Sequence, residues 1–149
     1  MRKYVGVLDG VLDFEFQRLA RLYIAKNGWM RPEGRLISKL LSHYAEYPGD
    51  FFLPSFLDNH DMNRFLFESR QDKARLRRAA TVQFEQRKPP IIYYGTEAGL
   101  THDRPVDLAV DFSDAEARLP MPWDDMDTDL LAHFKQLIKR RRLRTQEQR

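Results

Sequence analysis

Three short apolar runs, each followed by a longer stretch of helical period, predict an α/β chain with a parallel sheet. The runs lie at residues 7–14, 51–57 and 91–94. Their order is strand–helix–helix, strand–helix, strand–long loop–helix, the order of successive βα units. Three strands are few for an independent α/β domain. They fit about three-eighths of a (β/α) barrel, whose usual size is about 250 residues. The expectation is a partial barrel whose other strands are encoded upstream.

Val7-Leu8-Asp9-Gly10-Val11-Leu12-Asp13-Phe14 contains β-branched residues and reads as a buried strand. From Glu15 the period lengthens. Phe16, Leu19, Ala20, Leu22, Tyr23 and Ile24 mark the apolar face of a helix that should end at Asn27-Gly28. A second helix is expected over 35–46, with Leu36, Leu40, Leu41 and Tyr44 inward, until Pro48-Gly49-Asp50 breaks it. The second strand, 51–57, contains Pro54, which cannot donate to a ladder and is expected at an edge, a bulge or the strand start. Residues 69–86 read as one helix, with Ala74, Leu76, Ala79, Ala80 and Phe84 available for packing. Pro89-Pro90 stops it and leads into Ile91-Ile92-Tyr93-Tyr94, a third strand bounded by Gly95. A long polar connection follows, with Pro105, Pro120 and Pro122. The last helix should start near Asp127-Thr128-Asp129, whose short side chains suit capping, and place Leu130, Leu131, Phe134, Leu137 and Ile138 inward.

Hydrophobic residues at 42% and charged residues at 32% describe a soluble globular chain of 149 residues. Aromatics at 12% suit a large core or a sugar-binding cleft. With no cysteine, disulfides, cysteine-ligated zinc and thiol catalysis are excluded. No metal or cofactor is expected. No apolar run approaches the roughly 20 residues of a membrane helix, and the apolar stretch near the N-terminus is short, contains Asp9 and lacks a cleavage site. The expectation is a cytoplasmic protein with no membrane partner. The net charge of +3 comes largely from Lys139-Arg140-Arg141-Arg142-Leu143-Arg144. A basic last turn complements the helix dipole, so a nucleic-acid partner is not expected.

The densest polar constellation, Asp58-Asn59-His60-Asp61, directly follows the apolar run ending at Leu57. Polar residues just beyond the C-terminal end of a parallel strand face the ligand crevice. A carboxylate, an imidazole and an amide this close could grip several sugar hydroxyls, and Asp61 could oppose developing positive charge. The alternative is an ordinary turn, where Asp and Asn bond the local backbone. Composition alone leaves both open.

Phe56-Leu57-Asp58-Asn59-His60-Asp61-Met62-Asn63-Arg64-Phe65 resembles the fourth conserved region of the α-amylase family, at the end of the seventh strand of its TIM barrel. Pro90-Ile91-Ile92-Tyr93-Tyr94-Gly95-Thr96-Glu97 resembles the eighth strand and its turn, and Arg118-Leu119-Pro120-Met121-Pro122-Trp123-Asp124 the Arg-x-Pro-Met-x-Trp segment beyond it. Residues 9–21 are similar to the sixth strand and its helix. The wording is nearest to maltogenic, cyclodextrin-degrading and related α-glucan enzymes.

The resemblance implies that residues 1–149 are one segment, the last three βα units of the catalytic barrel, without the N-terminal barrel half or the C-terminal β-sandwich. It makes Asp61 the third catalytic carboxylate, which stabilises the transition state without attacking, and His60 a hydrogen-bond donor to the same sugar. Asn59 supports them and, with Arg64, Tyr94 and His102, is a candidate substrate-binding residue. Tyr93 and Tyr94 have a competing reading as core, and His102 as a solvated loop residue. Arg118 and Trp123 are expected to lock the long loop, and His43 and His133 have no assigned role. The family's Gly-x-Arg-x-Asp nucleophile and its strand-end Glu acid are missing from this sequence. The expected function is that of a fragment of a retaining glycoside hydrolase or transglycosylase acting on α-glucans or maltooligosaccharides, of α-amylase, cyclomaltodextrinase or maltogenic type, inactive alone. A non-catalytic α-glucan-binding remnant, or a basic nucleic-acid-interacting module, is the alternative. Partners would be the glucan and the remainder of the barrel, with self-association through open strand edges.

Overall fold

A computed structural model describes residues 1–26, 33–107 and 109–146. Helix α1 (Phe14–Ala20) starts where the Asp13 side chain accepts the amide of Phe16. It runs on into a π-helical turn, Arg21–Lys26. The expected stop at Asn27-Gly28 lies outside the described residues. Helix α2 spans Glu33–Tyr44. Helix α3 is a single turn, Phe65–Glu68, and α4 spans Lys73–Glu85. Helix α5, Thr128–Gln146, begins after Asp127, whose side chain accepts the amide of Leu130 at 2.8 Å.

The single helix expected over 69–86 is corrected. Arg70 and Gln71 have φ of 57° and 63°, in the left-handed region, and separate α3 from α4. Asp72 then caps α4 by accepting the amide of Arg75 at 3.1 Å.

The three apolar runs lie side by side in chain order, joined by parallel bridges at Gly10–Phe52, Asp13–Ser55 and Ser55–Pro90. Backbone bonds from Val11 to Phe52, Asp13 to Pro54, and Ile91 to Ser55 run at 3.0, 2.9 and 2.7 Å. Among the described residues these are isolated bridges, where continuous strands were expected. Proline supplies the reason. Pro54 sits in the middle run, between its two neighbours, and its missing N–H faces the first run. Its expected place at an edge, bulge or strand start is therefore corrected. Pro90 pairs with Ser55 through its neighbours Pro89 and Ile91, and its own missing N–H faces away from the middle run. Gly10 permits the close approach, since a Cβ there would lie 2.3 Å from the Phe52 carbonyl oxygen.

One face of these runs is covered by helices. Phe51, Leu53, Ser55 and Leu57 are buried in alternation, and a core joins α1, the π turn, α2, α4 and α5 through residues such as Phe16, Leu36, Leu76 and Phe134. The other face is more open: Leu12, Phe52 and Ile91 are 42%, 57% and 41% exposed, while Phe56 is buried edge-on to Phe14. The reading of the first run as a buried strand is corrected, since Val7 and Leu8 are 75% and 49% exposed, and so are two expected core positions. Leu41 is 64% exposed and Ala74 is also exposed, because each lies just outside the buried arc of its helix.

No helix among the described residues is long and apolar enough to cross a membrane. The basic end of α5 is used internally. The Arg141 guanidinium donates to the carbonyls of Phe84, Gln86, Arg87 and Lys88, and Arg144 to that of Phe84. These close the C-terminal end of α4, where helix carbonyls lack partners.

Candidate active site at the end of the middle run

The middle run ends at Leu57 and the chain turns sharply. Asp58 is buried, accepting the amide of Phe65 and the hydroxyl of Thr96, each at 2.8 Å. The carboxylate thus caps α3 and ties the turn to the one at Gly95, whose φ of 82° suits glycine. Burial pushes the Asp58 carboxyl above the ordinary aspartate value, against the opposing pull of the Phe65 amide, Arg64 and Thr96.

Anchored from below, residues 59–61 form the exposed tip. Asn59 Oδ1 accepts the amide of Asp61 at 2.9 Å, so its side chain makes the turn. His60 Nε2 and Asp61 Oδ1 lie 3.2 Å apart, with side chains 58% and 52% exposed. Arg118 closes the arrangement from the long loop. Its Nη2 donates to Asp61 Oδ1 at 3.1 Å and its Nε to the His60 carbonyl at 3.3 Å. Asp114 holds the same guanidinium at 2.7 Å. The site is an imidazole–carboxylate pair facing solvent, with a guanidinium beside it. Among the described residues no cluster of three or more His, Asp or Glu could hold a metal ion.

Arg64 stands under the tip and is fully buried. Its Nη1 donates to the Tyr94 carbonyl at 2.7 Å, and its guanidinium carbon lies 4.1 Å and 4.9 Å from the ring centroids of Tyr93 and Tyr94. The Nε and Nη2 groups find no acceptor, and the aromatic faces take that place. His102 is likewise buried. Its Nε2 accepts the Arg64 amide at 3.0 Å, which puts the ring proton on Nδ1, 2.6 Å from the Arg104 carbonyl. Phe67 stacks on the ring at 4.2 Å.

The family model described as "Alpha amylase, catalytic domain" matches residues 1–143. The chain belongs to the α-amylase family. Alpha-amylase 2 of Dictyoglomus thermophilum is 37% identical over 144 residues, 95% of this chain and 25% of that protein. A cyclomaltodextrinase of a Bacillus species is 31% identical over 108 residues, 71% of this chain and 18% of that one. The solved cyclic α-maltosyl-(1→6)-maltose hydrolase of Arthrobacter globiformis, in complex with maltose, overlays with a TM-score of 0.74 at 25% identity, covering 91% of this chain and 30% of its own. The chain thus spans about a quarter or less of the length of these curated relatives, and its fold is a portion of the α-amylase-family barrel.

For this α-amylase-family segment, the structure brings Asn59, His60, Asp61 and Arg118 together at the surface and withdraws two of the expected substrate contacts. Arg64 offers no surface to a ligand because it is spent on Tyr93 and Tyr94. His102 offers neither ring nitrogen, since both are bonded within the protein. Tyr94 is 40% exposed, but its hydroxyl donates to the Leu119 carbonyl at 2.8 Å, so its ring also secures the long loop. Arg118 locks that loop as expected, whereas Trp123, 72% exposed, does not.

Two buried polar centres escaped sequence reading. His43 Nε2 lies 2.9 Å from Asp13 Oδ1, fastening α2 to the end of the first run. Glu68 is held by Arg21 and Lys26, at the two ends of the π turn, and by Asn63 Nδ2 at 2.9 Å. Asn63 Oδ1 accepts the amide of Val106 at 2.6 Å, so this centre also reaches the long loop. Burial pushes the Glu68 carboxyl up, but the Asn63 bond and the two cations outweigh it and hold the group below the ordinary glutamate value. The short spacing from Asn63 to Glu68 was the one local signal.

Proposed function

We propose that this chain supplies the sixth to eighth βα units of a retaining, α-glucan-active barrel, with Asp61 as its transition-state-stabilising carboxylate. The observation supporting this most directly is the exposed His60–Asp61 pair at the C-terminal end of the middle run, fixed from beneath by Asp58. Both neighbours of Asp61 use its Oδ1, which leaves Oδ2 to accept a sugar hydroxyl. His60, whose Nε2 faces Asp61 Oδ1, would meet a second hydroxyl of the same ring through its other ring nitrogen. A carboxylate so placed opposes the positive charge that grows on the anomeric centre as the glycosidic bond breaks.

Retention needs two further carboxyl groups, a nucleophile and an acid/base, about 5 to 5.5 Å apart. Asp114 is committed to Arg118, and Glu97 points one oxygen into a buried site without a partner. Neither is placed to act, so these two roles fall to segments outside these 149 residues. The names of the matched relatives, among them an intracellular maltogenic amylase of Bacillus subtilis at 33% identity, favour maltooligosaccharides as the substrate class. On its own the chain would bind such a sugar weakly and leave it intact. The test is a chromogenic maltooligosaccharide assay of the purified chain beside its Asp61→Asn variant. No turnover is expected from either, and turnover that vanishes in the variant would overturn the assignment of the missing roles.

A further inference from the structure

We propose that Phe112 is a second sugar contact, a stacking platform for a glucose ring beyond the one held by His60 and Asp61. The inference rests on the glucan reading of that site. Phe112 is 88% exposed, more than any other large apolar side chain among the described residues. Its backbone has a φ of 61°, a left-handed conformation that is a genuine outlier for a bulky side chain. Strain of this kind persists only where the surroundings enforce it.

The surroundings do enforce it. Ser113 Oγ accepts the amide of Asp107 at 3.0 Å and donates to the Asp107 carbonyl. Asp107 Oδ1 accepts the amide of Ala109 at 3.0 Å, and its carbonyl that of Val110 at 2.8 Å. The Phe112 carbonyl then accepts the amide of Ala115 at 3.1 Å, opening the 3₁₀ helix Ser113–Arg118. A pinned turn therefore presents an aromatic ring to water against both its backbone preference and the hydrophobic effect.

That helix links the ring to the site. Its last residue is Arg118, which touches Asp61 and the His60 carbonyl. At about 2.0 Å per residue, six residues place Phe112 about 12 Å further along. A glucan chain gripped at Asp61 and lying along the helix would meet the ring with a later unit. Pyranose rings carry an apolar C–H face that suits an aromatic surface and hydroxyls that need polar neighbours. The same helix provides those neighbours in Asp114 and in Glu116, which is paired with the exposed Arg104.

The test uses the 149-residue chain, with maltoheptaose and maltose titrated by calorimetry against Phe112→Gly, Phe112→Trp and Asp61→Asn variants. Phe112→Gly should weaken maltoheptaose about fivefold. It should leave maltose, too short to reach the ring, unchanged. It should also unfold no earlier than the parent, because glycine accepts the left-handed φ without strain. Phe112→Trp should keep the affinity and show a ligand-dependent change in indole emission. If Phe112→Gly binds maltoheptaose as the parent does while Asp61→Asn weakens it, the platform is overturned and the glucan reading stands. If the parent binds neither sugar, both fall. If Phe112→Gly alters sedimentation and not sugar affinity, the ring is a self-association contact and the platform is again overturned.

Discussion

Arg118 and Asp61 are 57 residues apart in sequence and 3.1 Å apart in the structure, joined by a bond from the guanidinium to Oδ1. The pair decides how the long loop meets the site, because the same arginine reaches Asp114 and the His60 carbonyl. Both side chains are about half exposed, at 46% and 52%. Solvent and the entropy of two mobile side chains then offset most of the Coulomb gain. A double-mutant cycle of Arg118→Ala and Asp61→Asn should show a coupling of about 0.5 kcal/mol in low salt. It should fade at about 1 M salt, where the screening length is about 3 Å. A coupling of several kcal/mol would make the pair a structural strut.

Arg64 should behave in the opposite way. It is fully buried against Tyr93 and Tyr94, so Arg64→Ala opens a cavity and strands the Tyr94 carbonyl. We expect a loss of about 3 to 5 kcal/mol in urea unfolding. Arg64→Lys should also be costly, since an ammonium cannot lie flat against the rings while reaching that carbonyl. Arg64→Met, which removes the charge and keeps much of the volume, should cost less than Arg64→Ala. Near-neutral effects from all three would show that the buried guanidinium contributes little.

These contrasts indicate what the sequence could reveal. The helices were legible because their apolar residues recur at helical spacing, and the Asn59-His60-Asp61 tip because a polar cluster directly follows an apolar run. The break at 69–72 was not, because Arg70 and Gln71 take left-handed φ without a glycine or asparagine to announce it. The roles of Arg64 and His102 were misread for a related reason. Whether a charged or polar side chain is buried depends on partners 30 and 38 residues away, Tyr94 and His102 in the case of Arg64. Pro54 was expected at an edge, a bulge or the strand start, but only the register shows which donor it removes.

The two buried carboxyls should give opposite pH dependence. Glu68 is held below its ordinary value. Its contribution is full above its unfolded value of about 4.3 and is lost as pH falls through the lower folded value. Glu68→Gln should therefore cost about 2 kcal/mol at neutral pH, with the difference shrinking in acid. Asp58 is pushed up by burial. It binds its proton more tightly when folded, so its contribution is full below about pH 3.9 and is lost as pH rises through the folded value. The cost of Asp58→Asn should be largest in acid and smaller above that value. Urea titrations from acid to neutral pH check both, and parallel curves for the two variants would refute the assignment.

The more open face of the runs should make the isolated 149-residue chain associate. Val7 is 75% exposed and Phe52 57%, and exposed apolar side chains of this kind favour association. Sedimentation should show dimers or larger species that diminish when Phe52 and Val7 are replaced by Lys. A monomer that unfolds cooperatively would show that these units form a self-sufficient domain.

The central claim is that Asp61 acts on the transition state and not merely on the bound sugar. Its most direct test joins this segment to the upstream barrel strands that supply a nucleophile and an acid, and compares kcat and KM for the parent and Asp61→Asn on a maltooligosaccharide. The account predicts that kcat falls by about a thousandfold, on the scale of losing one transition-state-stabilising donor, while KM rises far less. A rise in KM with kcat intact would contradict it and reduce Asp61 to an ordinary binding group.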